Sequence, residues 1–169
     1  MPRNIEIKAR LANRAEVEDR LIPLIDSGPI TLHQVDHFFR VPDGRLKLRQ
    51  INGEHAELIS YHRSDSAGPK TSSYRRVPVI HPEDLTALLG DILTPLGTVV
   101  KERTLYLVGQ SRIHLDEVES LGSYLELEVV LNDDQTEEEG SVIANDLMQR
   151  LGIQEDDLVI GAYLDHLLK

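Results

Sequence analysis

The feature that most constrains this chain is a two-residue alternation whose polar half is charged. Arg45, Lys47 and Arg49 fall on one side of a strand-like stretch whose other side carries Leu46, Leu48 and Gln50, because successive side chains of an extended backbone point to opposite faces. Glu6, Lys8 and Arg10 stand opposite Ile5, Ile7 and Ala9, and Lys101 with Arg103 stands opposite Val100, Glu102 and Thr104. Arg112, His114 and Asp116 oppose Ile113, Leu115 and Glu117; Glu126 and Glu128 oppose Leu125, Leu127 and Val129. For any one strand, an antiparallel sheet with a solvated face explains the pattern. The set asks for more.

Between these stretches the punctuation is short. Asn13 caps a helical run with Val17, Leu21, Ile22 and Ile25 on one face, ended by Gly28-Pro29. His33 to Val41 and Arg45 to Ile51 read as a hairpin about Pro42-Asp43-Gly44, followed at Asn52-Gly53 by a strand from Ala56 to Arg63. The Ser64–Pro69 stretch is a loop before a strand from Ser72 to Ile80. His81-Pro82-Glu83-Asp84 opens a second helix with Leu85, Leu88, Leu89, Ile92 and Leu93 on its apolar face, closed by Pro95. Strands follow at Val99 to Val108, Ser111 to Val118 and Tyr124 to Leu131, then an acidic and amphipathic helix to Arg150 and a short helix from Asp157 to Leu168. Roughly eight strands joined by hairpins imply antiparallel pairing, and eight suffice to close a barrel. The expected fold is therefore α+β, an antiparallel eight-stranded barrel with flanking helices, in one domain over residues 1–169.

Charge sharpens that reading. The 169 residues hold 18 Lys and Arg against 29 Asp and Glu, a formal charge of −11, yet the cations gather at same-face strand positions while the acids crowd the helices and tail. If the helices cover the apolar strand faces, the charged faces line the barrel. Cations collected there repel one another unless an anion of high charge density lies between them, and a polyphosphate fits. Mg2+ and Mn2+ bind through one or two carboxylates plus substrate phosphates; Glu126 and Glu128, about 7 Å apart along one side of a strand, can share such a cation, with Glu6 from a neighbouring strand. No cysteine is present, which excludes disulfides, thiolate metal sites and a thiol nucleophile. The net charge opposes docking on nucleic acid or an anionic membrane, and the first residues lack a secretory pattern, so a cytoplasmic location is expected.

Asn4-Ile5-Glu6-Ile7-Lys8 resembles the ExExK signature of the CYTH superfamily, which includes class IV adenylate cyclases and thiamine or inorganic triphosphatases. Asp36-His37-Phe38-Phe39, Gly44–Arg49, Leu58–Arg63, Gly68-Pro69-Lys70, Val100–Arg103, Ile113–Val118 and Leu121–Glu128 follow in the family's order. The resemblance implies a tunnel that binds nucleotide or inorganic triphosphate with Mg2+ or Mn2+. It implies Glu6, Glu126 and Glu128 as metal ligands with Asp116 a fourth, and Lys8, Arg45, Lys47, Arg49, Arg63, Lys70, Lys101, Arg103 and Arg112 as phosphate ligands. Lys8, Arg49 and Lys101 are the catalytic set by the same likeness. Three positions depart from the pattern. Asn4 replaces the first signature glutamate, Phe38 stands where some thiamine triphosphatases carry a tyrosine, and His62 stands where related sequences often carry lysine.

The first functional expectation is a class IV adenylate cyclase-like reaction, ATP to cyclic AMP and pyrophosphate. The second is a hydrolase acting on tripolyphosphate or an organic triphosphate, and the third a polyphosphate-binding module without catalysis. His114 shares the charged face and is read either as a hydrogen-bonded strand histidine or as a contact to phosphate or base. The final apolar segment, Ile160 to Leu168, covers either a barrel end or a partner protomer of a homodimer.

Overall fold

Every alternating stretch forms a strand, and the strands close on themselves. The computed structural model describes all 169 residues. Its strands are β1 (Arg3–Arg10), β2 (Ser27–Phe39), β3 (Arg45–Ile51), β4 (His55–Arg63), β5 (Lys70–Pro78), β6 (Pro95–Val108), β7 (Ser111–Val118) and β8 (Gly122–Val130). They form a closed barrel in the order β1-β5-β4-β3-β2-β6-β7-β8, with every pair antiparallel. Closure leaves no free sheet edge.

The apolar strand faces point outward and are roofed by helices. Ile5, Ile7 and Ala9 of β1, Ile113 and Leu115 of β7, and Leu125, Leu127 and Val129 of β8 are buried in one cluster with Val17 and Leu21 of α1 (Arg14–Leu21). Ala144 and Leu147 of α3 (Glu137–Arg150) complete it. Each such Leu or Ile contributes roughly 1.5–3 kcal/mol by leaving water, so this roof holds the charged faces in the lumen. The acidic run has a structural job at the start of α3: the Thr136 hydroxyl accepts from the Glu139 N–H and the Glu139 carboxylate accepts from the Thr136 N–H, at 3.2 and 2.7 Å.

Several boundaries differ from the expectation. β2 begins at Ser27, six residues before His33, because Ile30 and Thr31 pair with Leu105 and Thr104 of the long β6 while their side chains stay exposed and carry no alternation. Pro95 opens β6 as well as ending the helix before it. Ile22 falls off the apolar face of α1 because the chain tightens into a 3₁₀ turn over Ile22–Leu24. In α2 (Pro82–Ile92) only Leu89 is buried, with Leu85 and Leu93 packed beside it against Phe39 and Leu48; Leu88 and Ile92 are exposed. The stretch from Asp157 to Leu168 is not one helix. After a 3₁₀ turn at Glu155–Asp157 the chain runs extended, Leu158 bridges Ala9, the Val159 N–H donates to the Lys8 carbonyl at 2.9 Å, and α4 spans only Tyr163–Leu167. No helix is long and apolar enough to cross a membrane.

Candidate functional site

Strand register decides which charges meet. Across β1 and β8, Glu6 lies opposite Glu128 and Lys8 opposite Glu126; across β7 and β8, His114 lies opposite Glu126 and Arg112 opposite Glu128. Across β2 and β3, Asp36 lies opposite Arg49. Inward-facing positions of the eight strands thereby enclose a lumen of about 240 Å3 lined by eight Lys and Arg side chains and five carboxylates. The surplus is cationic although the chain as a whole is strongly acidic.

The cations are not left to repel one another. Asp36 accepts from Arg49 Nε and Nη2 at 2.7 Å each and from Lys47 Nζ at 3.2 Å, with Lys101 Nζ 3.9 Å away. Burial pushes the Asp36 carboxyl up, but Arg49, Lys47 and Lys101 together outweigh it and hold the group well below the usual carboxylate range. Glu126 bridges Lys8 at 3.2 Å and Arg103 at 3.0 Å, Glu6 pairs with Arg63 at 2.9 Å, and Glu128 pairs with Arg112 at 2.9 Å. Glu126 is likewise held well below its ordinary value, burial being overcome by Lys8, Arg103 and Lys101. The lysines shift the other way. Burial first, then the guanidinium groups of Arg103 and Arg49, bring Lys101 down to about 7, and burial with Arg49 brings Lys47 down to about 8.

Three of the expected residues, Asp116, Arg45 and Lys70, lie apart from this set. Asp116 is fully buried and does not line the lumen: its oxygens accept from Arg103 Nε and Nη2 at 2.7 Å each and from the Tyr163 hydroxyl at 2.9 Å, so it is spent on fixing Arg103. Arg45 sits at the rim, held by Asp165 at 2.8 Å and Asp65 at 3.5 Å, because it is the first residue of β3, where the barrel ends. Lys70, at the start of β5, is buried near Arg63 and Lys8, whose charges add to burial in bringing it down to about 8; its ammonium donates to the Ser66 carbonyl at 2.9 Å. Lys8, Lys47, Arg49, Arg63, Lys101, Arg103 and Arg112 line the lumen together with Glu6, Glu126 and Glu128. Asn4 joins them; its amide satisfies both neighbours with the oxygen towards Arg112 and the nitrogen towards the Arg3 carbonyl, each at 3.2 Å.

Sequence reasoning passed over Asp36, Gln34, Arg76 and Tyr163 as lumen residues. Gln34, Asp36 and Phe38 obey the same two-residue rule as the cations, so extending the face argument to β2 would have found them. Tyr163 has no local signal. The extended segment before α4 carries its ring into the closed end of the barrel, 4.0 Å from Lys8 Nζ and 5.1 Å from Lys101 Nζ, while Arg45 and Asp165 hold the helix in place. The terminal segment therefore covers a barrel end. At the other end Leu32, Ile51 and Leu105 form an apolar collar.

A divalent cation has donors here. One atom each from His114, Glu126 and Glu128 lies within 4.8 Å of the other two, and buried His114 Nδ1 has no hydrogen-bond partner. Burial, then Arg103, brings His114 down to about 4 and leaves its imidazole neutral at pH 7.

A closed antiparallel barrel of eight strands with a charged, net-cationic lumen is the architecture of the triphosphate-tunnel proteins. The chain belongs to the CYTH domain family, whose pattern matches residues 2–163. The fold is similar to that of the PH1012 protein of Pyrococcus horikoshii OT3, with a TM-score of 0.83 and 25% identity over 96% of this chain and 98% of that one. A candidate adenylate cyclase of Vibrio parahaemolyticus superimposes with a TM-score of 0.81 at 16% identity, covering 98% of each chain. HpAC1 of Hippeastrum, a candidate adenylyl cyclase described as having a dominant triphosphatase activity, superimposes at 0.62 with 19% identity over 89% of this chain and 88% of that one. No curated protein matches the chain. Known family members are adenylate cyclases or triphosphatases, generally dependent on a divalent metal.

Proposed function

We propose that this protein, as one CYTH domain over residues 1–169, binds an organic triphosphate in its lumen and converts it with a divalent cation, Mg2+ or Mn2+. The reaction proposed first is attack of the ribose 3′-hydroxyl of ATP on the α-phosphorus with loss of pyrophosphate. One observation carries this reading: a lumen whose middle is cationic and whose far end is apolar, at Leu32, Ile51 and Leu105, matches a polyphosphate attached to an organic group.

The lumen carboxylates are the counter-ions of Lys8, Arg63, Arg103 and Arg112. Phosphate oxygens replace them as partners, so the cations are held near their binding geometry before the ligand arrives, which lowers the reorganisation needed in the transition state. Lys8, Arg49 and Lys101 would touch the phosphates and neutralise charge on the leaving group. Asp116 and Tyr163 position Arg103 for the same task. Burial, with the charges of Glu126 and Asp116, holds the Tyr163 phenol well above its ordinary value, so it remains a donor. Glu6, Glu126 and Glu128 would hold the cation, which supplies Lewis-acid stabilisation of phosphoryl charge when bound. The acidic exterior opposes nucleic acid and anionic membranes as partners.

Hydrolysis is the second reading. The lumen of about 240 Å3 lies below the roughly 300–1,000 Å3 usual for small-molecule sites and suits a compact inorganic triphosphate. Incubation with Mg2+ or Mn2+ and, separately, ATP, tripolyphosphate and thiamine triphosphate, with products resolved, decides between them. Cyclic AMP with equimolar pyrophosphate is the expected outcome. Orthophosphate without cyclic AMP makes the protein a hydrolase, and tight binding without product makes it a binding module.

A further inference from the structure

We propose that His114 is a nitrogen ligand to the cation held by Glu126 and Glu128, so that the lumen offers a mixed imidazole–carboxylate site selective for Mn2+ and later first-row ions over Mg2+. This deepens the metal-dependent reading above and rests on its placing a cation in the lumen.

Two features of the geometry single out His114 among the chain's histidines. It is the one histidine lining the lumen, and it is 5% exposed. Its Nδ1 lies 4.0 Å from Glu126 Oε2 and 4.0 Å from Glu128 Oε1, too far for a hydrogen bond to either. Donors on one ion at about 2.1 Å stand no more than about 4.2 Å apart, so these gaps are of the size that a shared cation spans. A buried imidazole retained for packing spends its ring nitrogens on hydrogen bonds; His114 Nδ1 has no partner. The charged groups around it are Arg103, Asp116, Glu126 and Glu128, and Arg103 is already committed to both Asp116 oxygens. A cation at His114 therefore displaces only the third contact of Arg103, that to Glu126.

Donor chemistry sets the selectivity. Mg2+ demands oxygen and gives up its waters reluctantly, whereas affinity for imidazole rises from Mn2+ towards Ni2+ and Cu2+. The three glutamates implied by family likeness do not discriminate in this way; the histidine does.

The test uses the full chain stripped with a chelator and loaded with Mn2+ alone. Electron spin-echo modulation is recorded for protein of natural isotopic composition, for protein labelled with 15N-histidine, and for His114→Gln. The expected result is 14N modulation in the first, 15N modulation in the second and neither in the variant. The variant should also bind Mn2+ at least about tenfold more weakly, with a smaller loss for Mg2+, since even groups that only support metal ligands are worth 10–100-fold. Bound Mn2+ without nitrogen modulation overturns the proposal, as does modulation that survives in His114→Gln or a failure to bind Mn2+. If the variant does not fold, the two isotopic forms still decide the matter, because no other histidine faces the lumen. Product formation with an all-oxygen signal removes His114 and leaves the proposed function standing. A nitrogen signal without turnover does the reverse.

Discussion

Asp36 shows how one residue can organise a lumen. Its carboxylate is 1% exposed and touches three cations from two other strands, so truncating it leaves Arg49 and Lys47 buried without their counter-ion. Asp36→Ala is expected to cost about 3–5 kcal/mol, the usual penalty for removing one partner of a buried pair, read from the denaturant midpoint. Glu128 differs in kind. It is partly exposed to the lumen and has a single cationic partner, Arg112. Glu128→Gln should leave the melting temperature within a few degrees of the parent while lowering metal-dependent turnover by about 10–100-fold or more; circular dichroism and a product assay separate the two effects. A variant that melts early and turns over normally per folded molecule would mark Glu128 as structural.

At the scale of elements, α3 and α4 do different work. α3 lies so close to the sheet that a Cβ on Gly140 would stand 2.5 Å from Leu131 Cδ2 and 2.6 Å from Ile5 Cγ1. Gly140→Ala should therefore destabilise by about 1–3 kcal/mol through overpacking, despite the better helix propensity of alanine, and thermal denaturation gives the sign directly. α4 is a five-residue helix and draws its order from tertiary contacts. Tyr163→Phe removes one neutral donor from Asp116, which keeps both bonds from Arg103. The expected cost is about 1 kcal/mol, with faster amide hydrogen exchange confined to residues 159–167. Exchange that quickens throughout β7 and β8 instead would show that Tyr163 holds the barrel wall and not merely the plug.

The whole molecule couples charge to binding. Lys101 at about 7 and Lys47 at about 8 are largely or partly neutral in the free protein at pH 8, while in an unfolded chain both keep their ordinary value near 10.5. Between about pH 7 and 10.5 the unfolded chain thus holds more protons than the folded one, so these two groups make stability rise with pH across that window. A bound polyanion restores their charge. Tripolyphosphate binding at pH 8 should therefore take up protons and weaken as pH rises towards 10, which calorimetry in two buffers of different ionisation enthalpy measures. An observed enthalpy independent of the buffer would mean that both lysines are already charged.

Much of this was legible in the sequence because a strand's period is two and local: β3 and β7 have the bounds the alternation assigned, and their inward faces are the charged ones. Ile5, Ile7 and Ala9 announced a covered face, and the helices that cover it were visible from their own spacing. What alternation cannot express is which strand lies beside which and where a face ends. Closure of the barrel decided that Asp36 would neutralise Arg49 and Lys47, that Arg45 would sit at the rim, and that His114 would face Glu126. Tyr163 reaches Asp116 across 47 residues of chain, through an extended segment tied to β1 by the Leu158–Ala9 bridge and the Val159 to Lys8 hydrogen bond. The sequence determined the faces because side-chain direction depends on neighbouring residues alone; the tertiary structure decided the partners because electrostatics in a closed lumen depends on distance through space.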